Sequence, residues 1–254
     1  MEKHILEKLY TFLEDYKNKQ DVIGVLACGS HVTGHPNKHS DLDVHLVLKD
    51  NVGYRERGNT IIEGLLIEYF ANTKQQILSY FNNDYNSVSL MSQTQFATGL
   101  IIKDELGIVE QLKQHAICQI DKNFENLDTT PNSLALYSIW DSLDDLQALL
   151  EENRPDFDFV YYIKLDKLLS LYLKTNKIPY NCKSIVGHLT SDIVRGKYLL
   201  KEITNKKLVE LIKTSILGEN KQKRFNAYSE LANNLLTQFN FSIDNFVFKS
   251  KEDI

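Results

Sequence analysis

Short apolar segments alternate with amphipathic ones along the first half of the chain. Val22–Cys28 and Leu42–Leu48 are apolar at almost every position, which is typical of strands buried on both faces of a sheet. Ile61–Ala71 has the same character apart from two glutamates, and it predicts a third strand. Apolar residues spaced three and four apart predict helices around these segments. These helices cover 2–18, 73–80 with a cap at Asn72 or Thr73, and 109–118, and a further strand with a turn covers 100–108.

The second half of the sequence has the pattern of helices alone. Residues 121–132 are polar and end in Thr-Thr-Pro-Asn, which predicts a boundary followed by a helix cap. Strands followed by a run of helices favour two separate domains. We therefore expect an α/β (α+β) domain with a small mixed sheet over residues 1–120 and an all-α helical bundle domain over 121–254. The predicted helices of the bundle cover 133–152, 159–175, 185–203, 206–216 and 222–239.

Composition and charge narrow the class of protein. Of the 254 residues, 43% are hydrophobic and 25% are charged, so a disordered chain is excluded. The net charge of −5 argues against nucleic acid as a partner, and no apolar run is long enough to predict a membrane span. The charged first residues do not have the pattern of a signal peptide. Three widely spaced cysteines fit unpaired thiols in a reducing compartment, so we expect a cytoplasmic location: Cys28, Cys118 and Cys182.

One segment carries most of the chemical information. The first predicted strand ends in Gly29-Ser30, and a loop leads to Asp41-Leu42-Asp43 at the start of the next strand. Residues two apart on a strand point to the same face, so the two carboxylates should stand side by side. Mg²⁺ removes their mutual repulsion, and it is commonly bound by one or two carboxylates plus substrate phosphates. A glycine permits close approach of the backbone to phosphate, and a serine hydroxyl can hold its oxygens. The segment therefore predicts a binding site for a metal-bound nucleotide triphosphate.

This arrangement resembles the polymerase-beta-like nucleotidyltransferase superfamily, in which a strand ends in Gly-Ser and Asp-x-Asp opens the next strand. The resemblance implies a third carboxylate on a following strand. Glu68, within Leu-Ile-Glu-Tyr-Phe, is the best match, and Glu63 is its competitor nearer the polar start of the predicted strand. It also implies that Asp41, Asp43 and Glu68 bind two Mg²⁺ ions, while Gly29 and Ser30 hold the phosphates of a nucleotide triphosphate.

A small catalytic domain followed by a helical bundle looks like the antibiotic nucleotidyltransferases, which modify aminoglycosides or lincosamides. This likeness implies transfer of a nucleoside monophosphate, AMP from ATP, to a hydroxyl group of a small molecule, and hence a role in antibiotic resistance. Acidic residues on the first long helix resemble those of kanamycin nucleotidyltransferases, where one acid is the base. By that analogy Asp145 is the candidate catalytic base and Asp141 the second choice. A homodimer is a further implication, because some relatives build the site across two subunits.

Three alternatives stay open on the sequence alone. The acceptor could be a protein, as in nucleotidyltransferase toxin modules. It could be an RNA end, although the net charge of −5 makes that substrate less attractive. The fold could also serve a non-catalytic module that senses a nucleotide, although all three candidate carboxylates are present.

Overall fold

The computed structural model describes residues 1–16, 21–244 and 246–249. The chain forms two compact units. The first comprises Met1–Asn126 with Gly196–Leu200, and it combines a sheet with helices. The second comprises Leu127–Arg195 with the described residues from Lys201 onward, and it is built from helices. Among the described residues, no helix combines the length and the apolar character required to span a membrane.

The sheet of the first unit has five strands in the order β3-β4-β2-β1-β5. Strand β1 pairs antiparallel with both β2 and β5, β2 pairs parallel with β4, and β3 pairs antiparallel with β4. The predicted mixed sheet is therefore confirmed. The strands are β1 (Val22–Cys28), β2 (Leu42–Leu48), β3 (Glu56–Ile62), β4 (Leu65–Thr73) and β5 (Leu100–Asp104).

Helices cover both faces of this sheet, which explains why its central strands are mostly apolar. The first helix packs Ile5, Leu9 and Phe12 onto one face. The opposite face packs against three later helices, to which Phe81 and Phe96 contribute buried rings. The helices of the first unit are α1 (Lys3–Glu14), α2 (Ser30–Thr33), α3 (Lys74–Asn86), α4 (Met91–Thr98) and α5 (Ile108–Lys122).

The predicted strand over Ile61–Ala71 is wrong in its extent, because the structure forms a hairpin there. Ile62 pairs with Leu65, and the two residues between them make the turn. Glu63 has φ 47° and Gly64 has φ 81°, so both occupy the left-handed region that two-residue hairpin turns favour. Glu63 thus lies in an exposed turn and not inside a strand.

Other differences from the sequence prediction concern one strand, one helix and the extents of two predicted helices. The polar edge strand β3 and helix α4 were not predicted, although Gln93 and Thr94 of α4 are buried. The helix predicted over 185–203 is two short helices that meet at Ser191. The first helix ends at Glu14, before the predicted residue 18, and residues 17 and 18 lie outside the described chain.

The helices of the second unit enclose their own core, which confirms the predicted helical region. Tyr161 is fully buried there, and its hydroxyl oxygen lies within hydrogen-bond distance of the main-chain oxygens of Ser215, at 2.8 Å, and Arg224, at 2.9 Å. The helices are α6 (Ser133–Glu151), α7 (Phe157–Thr175), α8 (Ile185–Thr190), α9 (Asp192–Tyr198, which ends in the first unit), α10 (Lys206–Leu217) and α11 (Lys221–Gln238).

Candidate metal centre

Three carboxylates predicted from the sequence lie together at one end of the central strands. Asp41 directly precedes β2, and Asp43 is its second residue. Asp43 is paired with Glu68 of the parallel strand β4, so the two side chains leave the same face of the sheet. Asp41, Asp43 and Glu68 each offer a carboxylate oxygen, and these oxygens all lie within 4.8 Å of one another. The cluster can hold a metal ion.

The donor set of this cluster fits Mg²⁺. Mg²⁺ takes oxygen ligands at about 2.1 Å, so opposite ligands of one octahedral ion lie about 4.2 Å apart. Carboxylate oxygens within 4.8 Å of one another need only a small adjustment to reach that separation. All three side chains are partly exposed, which leaves room for water or phosphate oxygens in the remaining ligand positions.

The carboxylates disfavour each other's charge while no cation is bound. Burial, followed by the charges of Asp41 and Glu68, raises the pKa of Asp43 to about 6, and Arg57 opposes this shift. Cys28, which is paired with Asp43 across β1 and β2, is fully buried. Burial and then the charge of Asp43 raise the pKa of the Cys28 thiol, which favours its protonated form. The electrostatic strain of the cluster is relieved by a bound cation.

The bend after β1 lies against the Asp43 carboxylate. Gly29 has φ 86° and ψ −164°, a conformation almost confined to glycine. A methyl carbon built on Gly29 would lie 2.6 Å from Asp43 Oδ2, so a side chain is also excluded by space. Ser30 follows at the first position of α2. The chain therefore turns directly beside the acidic cluster, and Ser30 is the first residue after that turn.

Hydrogen bonds fix the loop that joins this bend to Asp41. The main-chain oxygen of Gly29 accepts from the amides of Val32 and Thr33. The His31 ring lies with Nε2 3.2 Å from the main-chain oxygen of Ser40, so it links the two ends of the loop. His31 thus has a structural role in holding the loop that carries Asp41.

An aromatic stack lies next to the carboxylates on the same face of the sheet. His45 follows Asp43 by two residues and is buried, with its ring centroid 5.3 Å from that of Phe70 and 4.7 Å from that of Phe96. Its Nε2 lies 3.3 Å from Gln95 Oε1. Burial lowers the pKa of His45 to about 4, so the ring is neutral at ordinary pH. His45 therefore has a structural role in the buried packing next to the carboxylates.

Sequence reasoning missed Arg57, which lies on the edge strand β3. Its Nε and Nη2 both donate to Glu68 Oε1, at 3.3 Å and 2.6 Å. The signal was available in Glu63-Gly64, which is a hairpin turn sequence between two β-forming runs. A hairpin centred there brings Arg57 across from Phe70, two residue pairs beyond the pair of Asn59 and Glu68.

Two further residues considered in the sequence analysis lie elsewhere. Asp145 is on α6 in the second unit, where its Oδ2 accepts from Lys164 Nζ at 2.7 Å. Its role as a base stays a prediction. Glu63, the competitor for the third carboxylate, is exposed in the hairpin turn, and its main-chain oxygen accepts from Lys8 Nζ at 2.8 Å. Glu68, and not Glu63, joins the acidic cluster among the described residues.

The chain was compared with protein families, curated proteins and solved structures. No protein-family model and no curated protein matches the sequence. The crystal structure of a nucleotidyltransferase-like protein from Exiguobacterium sibiricum 255-15 is similar at 12% identity, over 91% of this chain and 74% of that one, with a TM-score of 0.47.

Proposed function

We propose that this protein is a Mg²⁺-dependent nucleotidyltransferase. One observation carries the proposal: carboxylate oxygens of Asp41, Asp43 and Glu68 lie within 4.8 Å of one another, beside the bend at Gly29-Ser30. Acidic side chains so close together repel one another, and their arrangement is favourable when cations and phosphate occupy the site. The same residues, in the same order along the chain, make the motif of the polymerase-beta-like nucleotidyltransferases.

Each residue of the site then has a distinct task. Asp41, Asp43 and Glu68 bind the divalent cations, two ions by resemblance to the superfamily. The bend at Gly29 brings the backbone close to the phosphates, and the Ser30 hydroxyl donates to a phosphate oxygen. Bound cations would supply neutralisation of the charge on the reacting phosphate and would lower the pKa of the attacking hydroxyl. The protein residues hold the phosphate chain in line with that hydroxyl.

The finer proposal concerns the nucleotide and the acceptor. By resemblance to the antibiotic nucleotidyltransferases, the protein transfers AMP from ATP to a hydroxyl of an aminoglycoside or a lincosamide. The acceptor oxygen attacks the α-phosphorus, the bond to the bridging oxygen breaks, and pyrophosphate leaves. Asp145 accepts the hydroxyl proton of the acceptor, with Asp141 as the second choice for this role.

Transfer is tested with α-labelled ATP, Mg²⁺ and a panel of aminoglycosides and lincosamides. We expect labelled antibiotic and one pyrophosphate released for each transfer. Label on the protein itself or on an added protein would support a protein acceptor instead. Binding of the triphosphate without release of pyrophosphate for every acceptor would contradict catalysis and favour a nucleotide sensor.

Glu68→Gln is expected to lower the rate of transfer by at least about a thousandfold, because one of the three metal-binding carboxylates loses its charge. Glu63→Gln is the matched control, since Glu63 lies five residues away in an exposed turn. Its rate should equal that of the wild type. Equal losses of rate in both variants, or a loss in Glu63→Gln alone, would contradict the assignment of Glu68 as the third carboxylate.

Asp145→Asn separates the base from the metal site. General-base catalysis contributes about 10²- to 10⁴-fold, so we expect a loss of that size in the rate of transfer. The affinity for Mn²⁺ should stay unchanged, because Asp145 is not one of the proposed metal ligands. Asp144→Asn is the control, since it removes the same charge from an exposed neighbouring position of α6. An unchanged rate in Asp145→Asn would remove Asp145 from the mechanism and leave Asp141 as the residue to test.

A further inference from the structure

Arg57 supplies a positive charge to the acidic cluster. Two of its N–H groups converge on a single oxygen, Oε1 of Glu68, at 3.3 Å and 2.6 Å. Its charge also acts on Asp43, where it opposes the upward shift of the pKa. The side chain of Arg57 is 70% exposed, whereas that of Glu68 is 28% exposed. Arg57 therefore approaches the cluster from the solvent side.

The position of Arg57 is set by a second contact. Its guanidinium carbon lies 4.8 Å from the centroid of the Phe70 ring. Phe70 in turn stacks on the buried His45 ring, so the guanidinium forms the outer layer of a stack anchored in the core. Such contact restricts the guanidinium to one plane and leaves its outer N–H groups available to solvent or ligand.

We propose that Arg57 is a phosphate-binding residue that pairs with Glu68 until a metal-bound nucleotide arrives. This inference rests on the proposed function of the acidic cluster. In the absence of ligand, Arg57 takes the place of a cation at Glu68. When metal ions occupy the carboxylates, the guanidinium turns on the Phe70 ring and donates to the triphosphate.

The charges predict opposite effects of Arg57 on the two ligands. A free divalent cation is repelled by the guanidinium, so Arg57 weakens its binding to the carboxylates. A triphosphate carries negative charge, and arginine binds phosphate through charge-assisted, often bidentate hydrogen bonds. Arg57 therefore favours the metal–nucleotide complex over the free metal. A residue that only held Glu68 in place would change both affinities in the same direction.

Arg57→Ala tests this with two separate titrations by calorimetry. The first uses Mn²⁺ alone, and the affinity should rise about 3- to 10-fold because a repulsive charge is lost from a partly exposed site. The second uses ATP with a methylene group between the α- and β-phosphates, together with saturating Mg²⁺. Its affinity should fall about 10-fold or more, as expected for loss of a charged hydrogen bond. Neither readout depends on turnover.

Two variants serve as controls. Arg55→Ala removes the same charge from the exposed residue two positions earlier, where Nη1 donates to the Tyr80 hydroxyl at 3.1 Å. Both affinities should change less than twofold in this variant, because screening by salt weakens the effect of a more distant exposed charge. Arg57→Lys keeps the charge without the planar fork, so the affinity for Mn²⁺ should stay and that for the nucleotide should fall.

Two results would overturn the inference. Weaker binding of both ligands to Arg57→Ala would make Arg57 a support for Glu68 alone. Unchanged binding of both ligands would mean that the ion pair of Arg57 and Glu68 is only a surface contact. Failure of the proposed function gives a different result: wild-type protein that binds Mn²⁺ but no triphosphate would contradict the nucleotide site itself, whichever residue stands at 57.

Discussion

We expect Asp43→Asn to remove nearly all of the proposed nucleotidyl transfer and, in the absence of divalent cations, to stabilise the folded protein above pH 6. The loss of transfer follows from the position of Asp43, which shares the cluster with Asp41 and Glu68 and lies beside the bend at Gly29. A missing metal ligand should cost about a thousandfold or more in rate.

The gain in stability follows from the pKa of Asp43. Its pKa in the folded protein is about 6, above the ordinary value of 3.8, so the folded state binds this proton more tightly than the unfolded state does. The corresponding stabilisation is complete below pH 4 and is lost as the pH rises through 6. Two pKa units correspond to about 3 kcal/mol, and partial exposure of the side chain lowers this to on the order of 1–3 kcal/mol. Asparagine does not ionise, so the variant avoids the loss.

Thermal unfolding in EDTA at pH 4.5 and pH 7.5 checks this effect. The melting temperature of Asp43→Asn should exceed that of the wild type by a few degrees at pH 7.5, and the difference should become small at pH 4.5. Mg²⁺ should reverse the order at pH 7.5, because it binds the wild-type cluster and stabilises it. Asp50→Asn, an exposed change at the far end of β2, should show neither effect. A destabilised Asp43→Asn at pH 7.5 in EDTA would contradict the repulsion inferred within the cluster.

Gly29→Ala should lower the rate of transfer by about a hundredfold or more and destabilise the first unit. The conformation of Gly29 costs alanine about 1–3 kcal/mol by itself. Its methyl group would also lie 2.6 Å from Asp43 Oδ2, so the bend or the carboxylate must move. A displacement of about 1 Å at a catalytic site is enough for a hundredfold loss in rate.

Gly34→Ala is the matched control for this change. Gly34 ends α2 with φ 81°, and a methyl group there meets no atom within 4 Å. It should cost about 1 kcal/mol of stability for the left-handed conformation and leave the rate nearly unchanged. The rate of transfer and the unfolding temperature are measured for both variants. Equal rates of transfer in the two variants would show that the bend at Gly29 does not affect catalysis and would contradict its proposed role.

The sequence predicts the central strands and the carboxylate pair because local rules are sufficient there. Val22–Cys28 and Leu42–Leu48 are buried at nearly every position, so a mostly apolar run marks both of them, and Asp43 and His45 are the exceptions in the second. Asp41 and Asp43 are two residues apart at the start of a strand, and the alternation of a strand directs them to one face. Assigning Glu68 from the sequence depended on resemblance to a superfamily, and the parallel register of β2 and β4 provides the physical reason.

Features that depend on long-range contacts could not be read from the same rules. Strand β3 lies at the sheet edge, and its first five residues are polar or glycine, so its hydrophobic signal is weak. Helix α4 buries Gln93, whose Nε2 donates to the main-chain oxygen of Phe81, and a polar core residue hides the helical pattern. The pairing of Arg57 with Glu68 depends on the hairpin between β3 and β4, which the single predicted strand over Ile61–Ala71 concealed.

The most direct test of the central claim is a crystal structure with Mn²⁺ and the methylene analogue of ATP, with the metal located by anomalous scattering. The account predicts anomalous density within ligand distance of Asp41, Asp43 and Glu68, with the triphosphate seated at the bend of Gly29 and Ser30. A bound nucleotide whose metal ions contact none of these three carboxylates would contradict it.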